Sequence, residues 1–184
     1  DYTGRLEGLD RPLITHESGQ WCMYTDFREI TRYHGATRAY NYEIFRDDLR
    51  EKGLGDLATD FTLASGKLAV LLYKAEIEAV LCTPELTGIQ LLQLQDYPGQ
   101  GTSPVGILNA MWESKGLVTP AEFRQFCSDF VPMARLEKMV WDNSETLQAE
   151  IHLSNYSAVD FKGELEWFLQ EKEGKTVASG NVKN

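Results

Sequence analysis

The sequence predicts an α/β fold followed by an all-β segment, and three observations support this fold class. Two short apolar runs, residues 13–15 and 89–96, each end in polar side chains, as buried strands of an α/β scaffold do. A long segment of helical periodicity, residues 56–82, lies between them. After Pro132 the apolar period changes from helical spacing to two residues. The order strand, helix, strand, helix indicates part of a (β/α)8 barrel, with a β-rich domain behind it.

Three helices are predicted in the first part of the chain. Residues 41–52 and residues 56–82 carry apolar side chains at three- and four-residue spacing, and Pro84 closes the second helix. A capping box with proline at the first helical position, Thr119-Pro-Ala-Glu122, predicts a third helix over residues 120–129. The predicted buried faces consist of Ile44, Phe45 and Leu49 in the first helix and of Phe61, Ala64, Leu68, Leu71, Leu72, Ala75 and Ala79 in the second.

The second part of the chain is predicted to consist of short strands. Apolar Leu147, Ala149, Ile151 and Leu153 alternate with polar Gln148, Glu150 and His152, which predicts a strand with one solvated face. Further strands are predicted at residues 140–141, 164–170 and 176–178. We place the domain boundary so that the barrel part comprises residues 1–132 and the sandwich part residues 133–184. A sandwich needs about seven strands, so we expect this one to be truncated, its last strands missing or replaced by contacts with other copies.

Composition limits the classes of partner. The chain of 184 residues has a net charge of −10, which disfavours nucleic acid and anionic membrane surfaces. No apolar run reaches the roughly 18 residues of a membrane span. Three cysteines and three histidines lie too far apart in sequence for a recognisable metal motif. We therefore expect no metal and no cofactor.

The polar residues after the first strand are the leading candidates for a site. His16, Glu17 and Gln20 follow directly on residues 13–15. A carboxylate mounted where a buried strand ends is held rigidly and partly desolvated, as catalytic acids on α/β scaffolds are. Glu17 also has an ordinary interpretation, because short strands often end in an acidic residue without function.

The second apolar run ends in a similar cluster, Gln95, Asp96 and Tyr97. Neighbouring parallel strands would bring Asp96 to the same edge as Glu17. Trp21 and Tyr24 belong to a long loop rich in aromatic residues, residues 19–40, which we call the aromatic loop; it is either functional or pinned to the body by its rings. Carboxylates and amides bind hydroxyl groups and flat rings cover C–H faces, so this combination suits a sugar. Retaining glycoside hydrolysis needs two carboxyl groups about 5–5.5 Å apart, and Asp96 is the weaker candidate for the second, since it can equally orient a hydroxyl.

Long motifs carry a resemblance to a known family. Four segments resemble glycoside hydrolase family 2 proteins of the β-galactosidase type from Bacteroides-like bacteria: Pro12-Leu-Ile-Thr-His-Glu-Ser-Gly-Gln-Trp21, Tyr24-Thr-Asp-Phe-Arg-Glu-Ile30, Gly88-Ile-Gln-Leu-Leu-Gln-Leu-Gln-Asp-Tyr-Pro-Gly-Gln-Gly101 and Gly106-Ile-Leu-Asn-Ala-Met-Trp-Glu-Ser-Lys-Gly116. The resemblance covers residues 10–135 well and residues 136–184 more loosely.

The resemblance implies a role for Glu17 and a context for the chain. Glu17 matches the retaining nucleophile at the end of the seventh barrel strand, residues 89–96 match the eighth strand, and the C-terminal part matches the start of an immunoglobulin-like sandwich. The family's acid/base lies upstream of these residues. The chain is therefore expected to be a C-terminal fragment of a retaining β-glycosidase that hydrolyses terminal β-linked sugars, inactive alone and periplasmic or extracellular. Separately, exposed barrel or sandwich edges would allow it to form homo-oligomers.

Within this hypothesis His16 and Gln20 orient Glu17, Trp21 and Tyr97 stack on sugar, and Asp96 or Gln95 binds hydroxyls. Two other interpretations remain open. A non-catalytic carbohydrate-binding or interaction module would use the same aromatic residues without a nucleophile. In a purely structural domain, Glu17 and Asp96 would only satisfy backbone groups.

Overall fold

The computed structural model describes residues 2–183 and shows a mixed helix-and-sheet protein with small sheets. The first strand, β1 (Leu13–Ile14), pairs in parallel with β2 (Leu86–Gly88). Two helices lie between these strands in the chain, α1 (Tyr40–Glu51) and α2 (Ala58–Leu81). The mixed class and the parallel strand-helix-strand order match the prediction at this level.

Local signals set the helix boundaries. Helix α1 ends where Gly53, with a φ of 73°, donates its backbone N–H to the Arg50 carbonyl. The predicted capping box is present, with Thr119 accepting from the Glu122 backbone N–H and the Glu122 carboxylate accepting from the Thr119 backbone N–H. The helix behind it, α3 (Pro120–Arg124), is shorter than predicted. Turns after Arg124 carry Phe126 into the core.

The core lies on a face of α2 that the sequence did not indicate. Leu68 and Leu71 of the predicted face are 56% and 62% exposed. The side that packs has Gly66 and Ala69 beside the larger Tyr73 and Ile77, and a Cβ on Gly66 would lie 2.5 Å from Leu117 Cδ2. The small residues allow Leu117 to approach the helix closely, which the leucines of the other side would prevent. The main core cluster consists of Met23, Ala69, Val70, Ile77, Leu117 and Phe126.

Helix α1 differs in part from the prediction. Of its predicted buried face only Leu49 is buried, together with Tyr42, whereas Ile44 and Phe45 are exposed.

The predicted strand over residues 89–96 is wrong in position. Regular pairing ends with β2, and residues 89–96 form only isolated bridges, one from Leu91 to Ser18 and one from Gln95 to Leu108. The first predicted strand is also less buried than expected, since Ile14 is exposed. The polar residues that follow the two predicted strands, around Glu17 and Asp96, therefore lie on irregular backbone and not in a continuous sheet.

The remaining strands form two small sheets. Strand β3 (Phe130–Leu136) pairs with β4 (Ala149–Asn155). Strands β5 (Glu164–Gln170) and β6 (Thr176–Lys183) form an antiparallel hairpin. The chain divides into two compact units between Ser154 and Asn155, whereas β3 runs across the 132/133 boundary predicted from the sequence.

Two details of the predicted β-region are wrong. Residues 140–141 are not a strand, because Trp141 instead donates its indole N–H to the Lys138 carbonyl within a turn region. In β4, Ile151 and Leu153 are exposed, while His152 and Ser154 are the more buried side chains. Large apolar side chains of the β5–β6 hairpin, among them Trp167 and Phe168, are also exposed.

No helix between residues 2 and 183 is long and apolar enough to cross a membrane.

Candidate functional site

The segment that follows β1, residues 15–21, is tied to residues 90–92 by three backbone hydrogen bonds, which start from Thr15 and Ser18. The Gln90 N–H donates to the Thr15 carbonyl at 3.2 Å, and the Ser18 N–H donates to the Gln90 carbonyl at 2.9 Å. The Leu92 N–H then donates to the Ser18 carbonyl at 2.7 Å. We call residues 15–21 the Glu17 segment. Its carboxylate therefore stands at the carboxyl end of a parallel strand pair.

Glu17 itself has a backbone φ of 55°, which few residues other than glycine adopt. The Gln20 side-chain amide donates to Glu17 Oε2 at 3.1 Å and to the Glu17 carbonyl at 3.3 Å. The predicted contact between Gln20 and Glu17 is thus present. The predicted partial desolvation is wrong, because the Glu17 side chain is exposed. His16 is also exposed, and in the described part of the chain no hydrogen bond joins it to Glu17.

The Tyr73 side chain of α2 packs against the Glu17 segment at Gly19. Its ring is fully buried, and a Cβ on Gly19 would lie 2.6 Å from Tyr73 Cδ1 and would overlap the ring. Gly19 also has a φ of 89°, so glycine is required there on two grounds. The Tyr73 hydroxyl donates to the Val105 carbonyl at 2.8 Å and lies 3.3 Å from the Leu92 carbonyl. Burial raises the pKa of this phenol to about 12, so the hydroxyl remains a donor.

Asp96 does not present its carboxylate to a ligand in this structure. It is 5% exposed, it accepts from the Gly106 backbone N–H at 2.8 Å, and its Oδ2 lies 2.5 Å from Lys115 Nζ. Both charged groups are buried, so removing either one would leave the other uncompensated. The arrangement matches the structural interpretation of Asp96 and gives no support to a hydroxyl-binding role.

The predicted sugar-binding rings fall into two classes. Trp21 is 39% exposed and Tyr97 is 61% exposed, so both offer a ring face to solvent. Tyr24 packs edge-on against Phe27 and Phe61, with ring centroids 5.8 Å and 5.5 Å away, and so serves to pin the aromatic loop.

Gln95 contributes through its backbone. It pairs with Leu108 in an isolated parallel bridge, and its side chain is half-buried. The structure therefore brings Gln20 to Glu17, leaves Trp21 and Tyr97 accessible, and assigns Asp96 and Tyr24 to the internal framework.

A second charged site was missed in the sequence. Glu29 lies in a 3-10 helix (Phe27–Arg32) within the aromatic loop, is 6% exposed, and lines a cavity of about 380 Å³. Its Oε2 has no hydrogen-bond partner among the described residues. Burial raises the pKa of the Glu29 carboxyl to about 7, with Lys115 opposing the rise and Asp96 adding to it. We call this site the Glu29 cavity.

In the sequence, Glu29 has the spacing of a helix-capping residue, and this ordinary role conceals its burial. Asp26 is the N-cap of the 3-10 helix and accepts from the Arg28 backbone N–H. An acid three residues after an N-cap is typical of a capping box, so Glu29 has the sequence appearance of a capping residue. Only the packing of the loop shows that its carboxylate is buried.

Among residues 2–183 no group of three or more His, Cys, Asp or Glu side chains is arranged to hold a metal ion. No protein-family model matches the chain, and no curated protein sequence matches it.

Proposed function

We propose that Glu17 is the nucleophile of a retaining β-glycosidase that acts on terminal β-linked sugars, in the manner of the β-galactosidase-type enzymes of glycoside hydrolase family 2. The observation that carries the proposal is the mounting of Glu17. Its carboxylate is accessible, stands at the carboxyl end of a parallel strand pair, and accepts from Gln20 at 3.1 Å. Active sites of (β/α)8 enzymes lie at this end of the strands.

The chemistry assigns a distinct task to each group. A Glu17 oxygen would attack the anomeric carbon as the glycosidic bond breaks, forming a glycosyl-enzyme ester that water then hydrolyses. Gln20 would hold the attacking carboxylate in one orientation through its donated hydrogen bond. The exposed rings of Trp21 and Tyr97 would cover C–H faces of the sugar.

The proposal requires a second carboxyl group as general acid/base. Asp96 is engaged with Lys115 and Gly106, so it is not suited to this role. The family resemblance assigns the acid/base to an upstream strand, so we take the active enzyme to be a longer protein that contains this chain. The chain alone would lack general-acid assistance, a loss of about 10²- to 10⁴-fold in rate.

Covalent labelling of that longer protein tests the proposal. A 2-deoxy-2-fluoro-β-galactoside should leave a stable ester on Glu17, located by mass spectrometry of the peptide that contains it. Glu17→Gln should abolish both labelling and turnover. Glu7→Gln, an exposed glutamate in the same N-terminal region, is the matched control and should leave both intact. Turnover in Glu17→Gln, or a label on another residue, would refute the assignment.

A non-catalytic carbohydrate-binding module is the second candidate. The observation that favours it is the exposure of Trp21 and Tyr97, which a binding platform needs and a nucleophile does not. Replacing both rings with alanine would then abolish sugar binding, while Glu17→Gln would leave it unchanged. Sugar binding without any fluoroglycoside labelling would favour this candidate over the enzyme.

A further inference from the structure

The Glu29 cavity is lined by cations that already have partners. Arg28 forms a two-pronged ion pair with Asp26, at 2.8 Å from Nε to Oδ1 and 2.7 Å from Nη2 to Oδ2. Arg32 Nη2 lies 2.5 Å from Glu113 Oε1. Each guanidinium group is thus paired with another carboxylate. Arg28 lowers the pKa of Glu29 only through its charge, since no ion pair joins it to Glu29 among the described residues.

The third cation of the cavity is Lys115, whose ammonium lies 2.5 Å from Asp96 Oδ2. With this pair included, the cluster holds three cations and four carboxylates, and Glu29 is the carboxylate with no ion-pair partner of its own among the described residues. When it is ionised, the cluster carries one net negative charge behind a cavity of about 380 Å³.

We propose that the Glu29 cavity binds the primary ammonium group of a small organic ligand, with the Glu29 carboxylate as its counter-ion. An ammonium is a compact charge with three donors and no acceptor, which suits a buried carboxylate oxygen that lacks a partner. A hard divalent cation would need six or more oxygen ligands. Among the described residues, no cluster of three or more His, Cys, Asp or Glu side chains is arranged to supply such ligands.

Binding of an ammonium is coupled to loss of a proton from Glu29. Since burial raises the pKa of this carboxyl to about 7, an ammonium must replace the proton that Glu29 holds at lower pH. The charged and titratable groups around Glu29 are Asp26, Arg28, Tyr33, Tyr42, Asp96 and Lys115, and the paired Arg32 and Glu113 line the same cavity. Among these, burial raises the pKa of both phenols and keeps them neutral, so the proton exchanged near neutral pH belongs to Glu29.

The test uses two probes of matched size, ethanolamine and ethylene glycol, which differ by an ammonium in place of a hydroxyl. Backbone amide NMR shifts of the 184-residue chain are recorded at constant ionic strength. We expect ethanolamine to shift amides of residues 26–32 and 109–116 with a Kd of about 1 to 10 mM, and ethylene glycol to leave them unchanged. The ethanolamine affinity should rise about tenfold from pH 6 to pH 8, because ionised Glu29 is the binding form.

Variants assign the effect to Glu29. Glu29→Gln, which has the shape and charge of the protonated residue, should weaken ethanolamine binding at least about tenfold. Glu51→Gln, at an exposed end of α1, should leave it unchanged. Equal binding by Glu29→Gln, equal shifts with ethylene glycol, or no saturable shift with ethanolamine would each overturn the proposal. The pH comparison on the unchanged chain needs no variant, so it decides the matter even if Glu29→Gln fails to fold.

Discussion

The Glu17 segment and the Glu29 cavity each present one glutamate, and the two are held in opposite ways. Glu17 is exposed, and its position is fixed by backbone hydrogen bonds to residues 90–92 and by the donated amide of Gln20. Glu29 is buried, its Oε2 lacks a partner among the described residues, and its pKa is raised to about 7. Hydrogen bonds fix the position of the Glu17 carboxylate, whereas burial sets the pKa of the Glu29 carboxylate. Substitutions should therefore act on the two through different quantities, local backbone packing in one case and charge balance in the other.

The largest effect is expected at the base of the Glu17 segment. Gly19→Ala adds a Cβ at a φ of 89° and drives it into the Tyr73 ring, so we expect a loss of about 3 to 5 kcal/mol in the free energy of unfolding. Gly8→Ala is the control, since Gly8 has a φ of 84° and open space around it, and should lose about 1 kcal/mol. Urea denaturation measures both. Equal losses would show that the Tyr73 contact does not constrain the segment.

The next effect concerns the ion pair beside the Glu29 cavity. Lys115→Met leaves the Asp96 carboxylate buried without a counter-charge and should destabilise the chain by about 3 kcal/mol. Lys74→Met removes an exposed lysine paired with Glu78 and should change stability by less than about 1 kcal/mol. Adding Asp96→Asn to Lys115→Met should recover part of the loss. If the single Lys115 variant is as stable as the Lys74 variant, the buried pair is not a structural element.

The smallest effect compares the two glutamates directly through pH. The folded-state pKa of Glu29, about 7, lies above its ordinary value of 4.5, so the native chain holds an extra proton between these pH values. The stability from Glu29 is therefore present below about pH 4.5 and is lost as the pH rises through 7. Glu29→Gln cannot lose a proton, so at about pH 8 it should exceed the unchanged chain in stability by about 1 to 3 kcal/mol.

Glu17→Gln is the matched change for this comparison, because it makes the same replacement at an exposed carboxylate. It should alter stability by no more than about 0.5 kcal/mol at either pH. Denaturation midpoints for both variants, measured across the pH range, provide the comparison. A pH slope in Glu29→Gln equal to that of the unchanged chain would mean that another group titrates.

The elements that could be predicted from the sequence are those fixed by local signals. The Thr119 capping box, the ends of α1 and α2 and the β5 strand follow from caps, breakers and short-range periodicity. The buried face of α2 could not be predicted, because leucines line the exposed side and tertiary contacts such as the close approach of Leu117 to Gly66 lie on the other.

In the candidate site, too, contacts between residues close in sequence could be predicted and long-range contacts could not. Glu17 and Gln20 are neighbours in the chain, so their contact could be expected from sequence. The partner of Asp96 could not, since Lys115 reaches it only through the turn of residues 109–116. Glu29 was missed because its burial depends on how the whole aromatic loop packs.

The pairing of β1 with β2 has a consequence for how the chain folds. Leu13 pairs with Leu86 across about two fifths of the sequence, and the two strands are only two and three residues long. Closing so long a loop is entropically unfavourable, and such short strands return little enthalpy on their own. We therefore expect the helices between them to assemble first and the Glu17 segment to reach its native backbone late in folding. On this view the geometry of Glu17 depends on the packed helices more than on the local preferences of its own segment.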